Sequence, residues 1–390
     1  MLVPEIRFEG FSSAWERHKL GEFCKITTGR LDANAMVPDG KYDFYTSGIA
    51  KYKIDIPAFS GPAITIAGNG ATVGYMHLAD GLFNAYQRTY VLSGFGADRQ
   101  YLFYAIGTKL PEKIAQEART GNIPYIVMDM LTNLDIDIPS MEEQALIGEC
   151  LKKIGSLIVL HRRKQNQLKC IKKSMLEKMF PRDGANVPEI RFAGFTDPWE
   201  QRKLGDIVER VVRKNTNNES SLPLTISAQY GLVDQITYFN NRVASRDVSN
   251  YYLVLNGEFA YNKSTSDGFP FGAVKRLDLY EKGVLSTLYI VFSIKNQSEI
   301  DSDYLTVFFD TDRWHKGVSE RAAEGARNHG LLNISADDFF DIDIFLPRHK
   351  EEQVAIGSYL RHLDNLITLH QCKCDKLKDL KNSLLQKMFV

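Results

Sequence analysis

The chain has 390 residues, enough for two or three domains with cores of their own. Hydrophobic residues make up 44% and charged residues 25%, an ordinary globular balance, and no apolar run nears the roughly 18 residues a membrane span needs. Lys+Arg and Asp+Glu both number 48, so the net charge is zero and an anionic partner must meet a local patch.

The start, MLVPEIRFEG, lacks the basic and apolar regions of a secretory signal. Five scattered cysteines without a CxxC pair fit a reducing cytoplasm. The first element is the opening VPEIRFEGFSSAWERHKLGEF, from Val3. A variable region follows, with DFYTSGIAKYKI, PAITIAGNGATVGYMHL and LFNAYQRTYVLSG. These β-branched and aromatic runs broken by glycine predict strands and turns. Helical patterning is expected near YLFYAIGTKLPEKIAQEA, and a strand at the DIDI beginning with Asp135.

Next comes a segment without proline from Glu142 to Phe180. Its apolar residues fall at Ile147, Leu151, Ile154, Ile158, Leu168, Met175 and Met179, a heptad-like seam. As a helix it spans roughly 58 Å at 1.5 Å per residue. Its exposed face is strongly basic, which on a helix means a solvated surface or sequence-neutral phosphate contacts.

The chain then repeats itself. VPEIRFAGFTDPWEQRKLGDI begins at Val187 and matches the first opening at 13 of 21 positions. A second variable region carries LPLTISAQYGL, GEFAYNKSTSDGFPFGAVKRL, GVLSTLYIVFSI and DYLTVFFDTDRWHKGVSERAAEG. ATVGYMHL and FPFGAVKRL sit at comparable places, as do GLFNAYQRTYVL and GVLSTLYIVF, so two diverged copies of one α+β domain are expected. A second strand-like DIDI starts at Asp341, and a second seam runs from Glu351 to Phe389 through Ile356, Leu360, Leu363, Ile367, Leu377, Leu384 and Met388. It matches the first at 19 of 39 positions. The openings are offset by 184 residues and the helices by 209, so the second variable region is about 25 residues longer.

The reading is thus an α+β chain of two similar domains, residues 1–140 and 182–348, with long helices over 141–181 and 349–390. The two helices are expected to pair antiparallel as a coiled coil in a pseudo-two-fold molecule. The last residues, KMFV, read as a natural predecessor of MLVPEIRF, so the termini are expected close together. His161 and His370 match within the seams and fit a polar register device. Val159, Ile171 and Leu380 widen the stripe, as though further helices dock there. Cys372 and Cys374 near His370 raise a metal site, but residues two apart face different ways on a helix, so none is expected.

Catalytic signatures fail in turn. AGNGATVG has the wrong spacing for a phosphate loop and leads into a strand rather than a helix, so a tight turn is expected. There is no GxxxxGK[ST], no HExxH, no GxSxG and no Asn-Pro-Pro-aromatic motif, and PDGK at Pro38 stands alone. A non-catalytic chain is expected. Side chains suited to base edges or phosphates occur in Gly-rich or aromatic-flanked stretches: Thr46, Ser47, Lys51, Asn69, Asn84, Gln87, Arg88 and Arg119 in region one, and Lys263, Ser264, Thr265, Arg327, Asn328 and His329 in region two. Each alone is more readily a solvated loop residue.

The openings VPEIRF…GF…WE..KLG, the helices beginning EEQ..IG and ending KMF, and the alternation of variable domain and helix together resemble the DNA specificity subunit of Type I restriction–modification enzymes. The resemblance covers essentially the whole chain. It implies that each variable region is a target recognition domain reading one half of a split, asymmetric site in double-stranded DNA. It implies that the helices set the spacing, and that two methyltransferase subunits dock on them, joined by two motor–nuclease subunits. S-adenosylmethionine, ATP and Mg²⁺ would then belong to those partners and not to this chain, and the place of action would be the cytoplasm. The competing readings are a coiled-coil scaffold that bridges proteins and an enzyme using Asp39.

Overall fold

The computed structural model describes residues 3–117, 124–182, 184–227, 230–266, 268–322 and 332–389. They form two compact units, Met1–Arg163 with His370–Val390 (unit one) and Lys164–Leu369 (unit two). Compactness does not follow chain order. The first long helix, Met141–Lys178, and the second, Lys350–Lys387, each give one segment to each unit.

Unit one contains β1 (Glu16–Lys19), β2 (Lys25–Thr28), β3 (Tyr42–Tyr45), β4 (Lys51–Ile54), β5 (Phe59–Ser60), β6 (Ala63–Ala67), β7 (Met76–Ala79), β8 (Leu82–Ala85), β9 (Thr89–Ser93) and β10 (Asp135–Ile138). One sheet runs β2-β9-β6-β7 and another β4-β3-β8-β5, while β1 pairs with β10 in a two-stranded sheet. The central strand β6, AITIA, is buried throughout. Its period of two divides it between cores. Ile64 and Ile66 face Tyr101, Leu102 and Ile106 of the helix Arg99–Glu117. Ala63 packs with Tyr45 and Phe83 of the second sheet.

Unit two contains β11 (Glu200–Lys203), β12 (Val208–Arg210), β13 (Leu224–Ser227), β14 (Gly231–Asp234), β15 (Tyr252–Leu255), β16 (Phe259–Asn262), β17 (Ala273–Arg276), β18 (Lys282–Leu285), β19 (Ile290–Ile294) and β20 (Asp343–Leu346). Its main sheet, β12-β19-β16-β17, repeats the order found in unit one, and β11-β20 repeats β1-β10. The expected kinship of the two variable regions is therefore present strand by strand. The second layer follows the same plan: β15 pairs antiparallel with β18 as β5 does with β8, the hairpin β13-β14 stands where β3-β4 does, and a single parallel bridge, Pro223 to Val284, takes the place of the parallel β3–β8 pairing. The hairpin β13-β14 and the short helix Gln235–Phe239 lie in the longer region. One expectation shifts: the second strand is Asp343–Leu346, two residues past the start of its DIDI, because Glu200 pairs with Leu346 as Glu16 pairs with Ile138.

The repeated motifs are the joints of this framework. The arginine of each opening forms a two-pronged ion pair with the second glutamate of EEQ. Arg7 meets Glu143 at 2.7 and 2.8 Å, and Arg191 meets Glu352 at 2.6 and 2.8 Å. The following glutamine accepts from the backbone N–H of Asp98 or Asp301, 2.9 Å in both units. Those aspartates in turn accept from Tyr101 N and Tyr304 N at 2.7 Å. The glycine of EEQ..IG lets the helix approach this turn. A Cβ on Gly148 would lie 2.8 Å from Asp98 Oδ1, and one on Gly357 would lie 2.6 Å from Tyr304 N. Finally, the tryptophan of each opening packs against a KMF phenylalanine: Trp15 against Phe389 at 6.5 Å and Trp199 against Phe180 at 5.9 Å. Ile6 N donates to Lys387 O at 2.9 Å, so the expected closeness of the chain's two ends holds for these residues.

Within unit one the two long helices run antiparallel: Ile158 O meets Cys374 Sγ, His161 meets His370, and Gly155 lies beside Lys381. The seam residues Ile147, Leu151 and Ile154 are buried, as are Ile356, Leu360 and Leu363 in unit two. His161 and His370 touch through Nδ1 atoms 2.9 Å apart, one ring donating and the other accepting. This pairing fixes register at the seam, as the matched positions predict.

Candidate nucleic-acid interface

The loop AGNGATVG joins β6 to β7 as a tight connection, with Gly70 at φ +88° and Gly74 at φ +83°. Gly74 N donates to Ala67 O at 2.8 Å. It is a turn, as expected, and its start is pinned from the other side. Gly68 N donates to Arg88 O at 2.9 Å and Ile126 N donates to Gly68 O at 2.8 Å. A Cβ at residue 68 would lie 2.2 Å from Arg88 O, so only glycine fits this crossing.

Around the crossing lies an open cleft lined by Thr28, Gly68, Asn69, Gln87, Arg88, Tyr90, Tyr125 and Ile126. Four of the sequence candidates converge here. Asn69 and Ser47 are joined by a hydrogen bond from Ser47 Oγ to Asn69 Oδ1 of 2.7 Å. Asn69 is partly exposed, and Gln87 and Arg88 are exposed beside it. Thr72 Oγ1 donates to Ser47 O, tying the two loops together. Thr46 is buried, and its Oγ1 accepts from Gly48 N at 3.3 Å, which shapes the turn carrying Ser47. Lys51 is exposed at the head of β4, 5.3 Å over the Tyr45 ring and 3.9 Å from Asp43. Its neighbour Lys53 holds the Asp43 carboxyl below the usual range by a hydrogen bond that outweighs burial. Burial, then Asp43, push the Tyr45 hydroxyl up to about 12.

Asn84 does not belong to this surface. It is 3% exposed, donates to Ile56 O at 2.8 Å and accepts from Ala85 N at 2.8 Å. Both ends of its amide are spent inside the fold, which corrects the expectation of a base-reading role. Its strand, β8, is covered on both faces. Arg119 lies outside the described residues.

In unit two Lys263, Ser264 and Thr265 follow β16 at the place where Gly68 and Asn69 follow β6. The backbone proves the equivalence. Leu332 N donates to Lys263 O at 2.9 Å, as Ile126 N does to Gly68 O. Lys263 is partly buried and its Nζ donates to Ile334 O at 3.4 Å, so this lysine braces the loop. Ser264 N donates to Asn262 Oδ1 at 3.0 Å, and Thr265 is partly exposed beside it. Arg327, Asn328 and His329 lie outside the described residues.

Sequence reasoning missed Tyr125, which is 56% exposed and forms an antiparallel bridge with Asn69. An exposed tyrosine on a cleft rim offers a flat ring and a hydroxyl to a base or sugar. Nothing in GNIPYIVM marks it, because its partner is 56 residues away in sequence. On the long helices Val159, Ile171 and Leu380 are exposed, together with Leu157 and Leu160. Among the described residues no group of three or more His, Cys, Asp or Glu is placed to hold a metal, and no helix is long and apolar enough to cross a membrane.

Comparison with known proteins gives the same direction. Residues 12–170 match the family model described as the Type I restriction modification DNA specificity domain. The specificity subunit of the Type I restriction enzyme EcoDI of Escherichia coli is 38% identical over 137 residues, 35% of this chain and 30% of that protein's length. The specificity subunit of the Type I restriction enzyme MjaVIII of Methanocaldococcus jannaschii is 23% identical over 96% of this chain and 92% of its own length. The crystal structure of the S subunit of a Type I restriction–modification system from M. genitalium superposes with a TM-score of 0.64 at 16% identity, covering 100% of this chain and 99% of that one, which bears on the fold. These matches do not favour the scaffold reading. The doubled openings, the doubled EEQ joints and these relatives make the chain similar to the DNA specificity subunits of Type I restriction–modification enzymes, with the family model matched over residues 12–170.

Proposed function

We propose that the chain recognises double-stranded DNA through two target recognition domains, each reading one half of a split site, and has no catalysis of its own. One observation carries this reading. The sheets β2-β9-β6-β7 and β12-β19-β16-β17 share one strand order, yet the loops at matched places carry different polar side chains. A common scaffold with unlike surface chemistry is what two unlike half-sites require. In unit one Asn69, Gln87 and Arg88 supply base-edge donors and acceptors, Arg88 and Lys51 supply charge for phosphates, and Tyr125 supplies a ring. In unit two the loop Lys263–Thr265 takes the matching place. Half-sites read from one DNA face lie about one turn, ~34 Å, apart.

The long helices set the spacer in this reading. Their exposed apolar residues, such as Val159, Leu160 and Leu380, form the docking stripe for helices of two methyltransferase subunits, and two motor–nuclease subunits complete the assembly. S-adenosylmethionine, ATP and Mg²⁺ are then needed by the partners. The family's duplicated framework explains why one chain presents two like surfaces.

The test is single-molecule sequencing of methylated adenines in cells that carry the cognate methyltransferase with and without this chain. A split motif that depends on the chain is expected. Exchanging residues 182–348 for those of a homologue should then change one half of the motif. No chain-dependent motif in an assembled complex, or a change in both halves after the exchange, refutes the reading.

A further inference from the structure

The shared framework brings two unlike sites into register. The helix offset of 209 residues makes Lys381 of the second long helix the counterpart of Lys172 of the first. In unit two, Lys172 Nζ lies 2.9 Å from Asp310 Oδ2 and 2.7 Å from Asp364 Oδ1. Lys275 Nζ, on β17, lies 2.8 Å from the other oxygen of Asp310. Asp310 follows the short helix Ser302–Phe308 of the recognition domain, and Asp364 belongs to the second long helix. Lys172, Lys275 and Asp310 are each less than a fifth exposed, at 16%, 17% and 18%. Burial works against the charge on Lys172, but Asp310 and Asp364 outweigh it and hold its pKa above the ordinary value. A second knot lies nearby. Arg276 of β17 meets Asp303 at 2.7 Å, and Arg361 of the second long helix meets Asp278 at 3.1 Å and Asp303 at 3.5 Å.

Unit one has neither carboxylate. Asp98 and Asp301 cap equivalent turns, so Gly107 stands where Asp310 does, nine residues on in each case. The helix offset likewise sets Gly155 where Asp364 stands. Lys381 Nζ instead lies 5.1 Å over the ring of Tyr104, and a Cβ on Gly155 would be 3.6 Å from it. Burial lowers its pKa, and among the described residues no carboxylate pairs with it.

We propose that Lys172 is a positioning residue that clamps the second recognition domain to its helical seat through Asp310 and Asp364, a clamp added to the arginine–glutamate joint that both units share and without a counterpart at the matching place in the first unit. The inference rests on the DNA-reading function proposed above. Shifting this domain on the helices would leave buried charges without partners, which penalises small displacements. A lysine over a ring and an apolar seam is less directional. The clamp therefore acts on spacing rather than on base identity.

The test uses the full chain with its methyltransferase subunits, methylating a plasmid library in which the spacer between half-sites varies by one base pair either way. Lys172→Met removes the charge and keeps the stem; Lys172→Arg keeps the charge. The expected result for Lys172→Met is that both half-site sequences persist while methylation of off-spaced sites, relative to correctly spaced ones, rises about tenfold, a ratio typical of coupling between adjacent charges. Lys172→Arg should restore most of the discrimination. Gly155→Asp, which gives Lys381 a carboxylate, should sharpen it. If Lys172→Met does not assemble, Asp364→Asn, which leaves Lys172 paired with Asp310, is read in the same way. Unchanged spacing discrimination in a variant that merely melts lower overturns the clamp, as does loss of the second half-site's base preference. A library that the unaltered chain cannot direct the partners to methylate overturns instead the DNA-reading function beneath it.

Discussion

Glu352→Ala tests the joint that the EEQ motif encodes. The Glu352 side chain is fully enclosed and Arg191 is 11% exposed. Glu352 accepts two bonds from Arg191, at 2.6 and 2.8 Å, and one from Trp199 Nε1 at 3.4 Å. Truncation takes both carboxylate oxygens from the guanidinium and leaves it the bond to Asp197 O, 2.7 Å away. Breaking an enclosed ion pair from one side costs about 3–5 kcal/mol because a charge is left without a partner. For a unit of this size each kcal/mol lowers Tm by roughly 2–4 °C, so a drop on the order of 10 °C is expected. Differential scanning calorimetry of the full chain measures it. The double variant Arg191→Met with Glu352→Leu removes both charges together and should recover most of the loss. A cost below about 1 kcal/mol for Glu352→Ala, or a double variant no better than the single, would refute the reasoning, since enclosed charge pairs are not that cheap to break.

Two further outcomes follow from the sites. Arg88→Ala should weaken specific DNA binding of the assembled complex more than non-specific binding, measured at several salt concentrations; equal losses would make Arg88 a phosphate contact. Asp310→Asn should flatten the acid limb of stability. Burial raises the Asp310 carboxyl, but Lys275 and Lys172 outweigh it and hold it below the ordinary value. Its stabilising contribution is therefore present above the ordinary carboxylate pKa, near 4, and lost as pH falls through the lower folded value. Urea unfolding between pH 7 and 3 should show a less stable variant at pH 7 whose stability falls less on acidification. A parallel fall in both proteins would sink the assignment.

The framework was legible because its identical residues are the ones with exacting partners. Arg7 and Arg191, Gln144 and Gln353, and Gly148 and Gly357 each meet a fixed atom that tolerates no substitute, so duplication preserved them while their surroundings drifted. The seams were legible through their three-and-four spacing. Pairing within the second layer was not. Short apolar runs read alike whether a strand ends up parallel, as β3 with β8, or antiparallel, as β5 with the same β8. The alternation in DIDIF also fits two frames, and the cross-strand partner Glu200 chooses between them. Asn84 misled because it stands three residues before Gln87 and looks like part of the same polar loop. Only the fold reveals that Phe83, Asn84 and Ala85 are all enclosed, so the usual inside-outside alternation fails. The interface was half legible: Ser47, Asn69, Gln87 and Arg88 do meet, while Tyr125 joins them through a contact far along the chain.

The repeat in sequence and the unit in space are not the same object. Reading along the chain, each opening precedes its own variable region and its own helix. In space Trp15 of the first opening is covered by Phe389 at the end of the second helix, and Trp199 of the second opening by Phe180 at the end of the first. Each phenylalanine also packs on the framework tyrosine, Tyr101 or Tyr304, to close a Trp–Tyr–Phe cluster. Neither sequence repeat alone therefore supplies a complete cluster: the first would leave Trp15 without its phenylalanine, and the second would leave Trp199 without its own. The interlock makes the two halves obligatory to each other through packing rather than through the linker at residues 181–186. It also leaves the variable loops free of this duty, since none of Ser47, Asn69, Arg88, Ser264 or Thr265 is among the residues that build the joints. Divergence at the reading surface is thereby uncoupled from the closure of the fold.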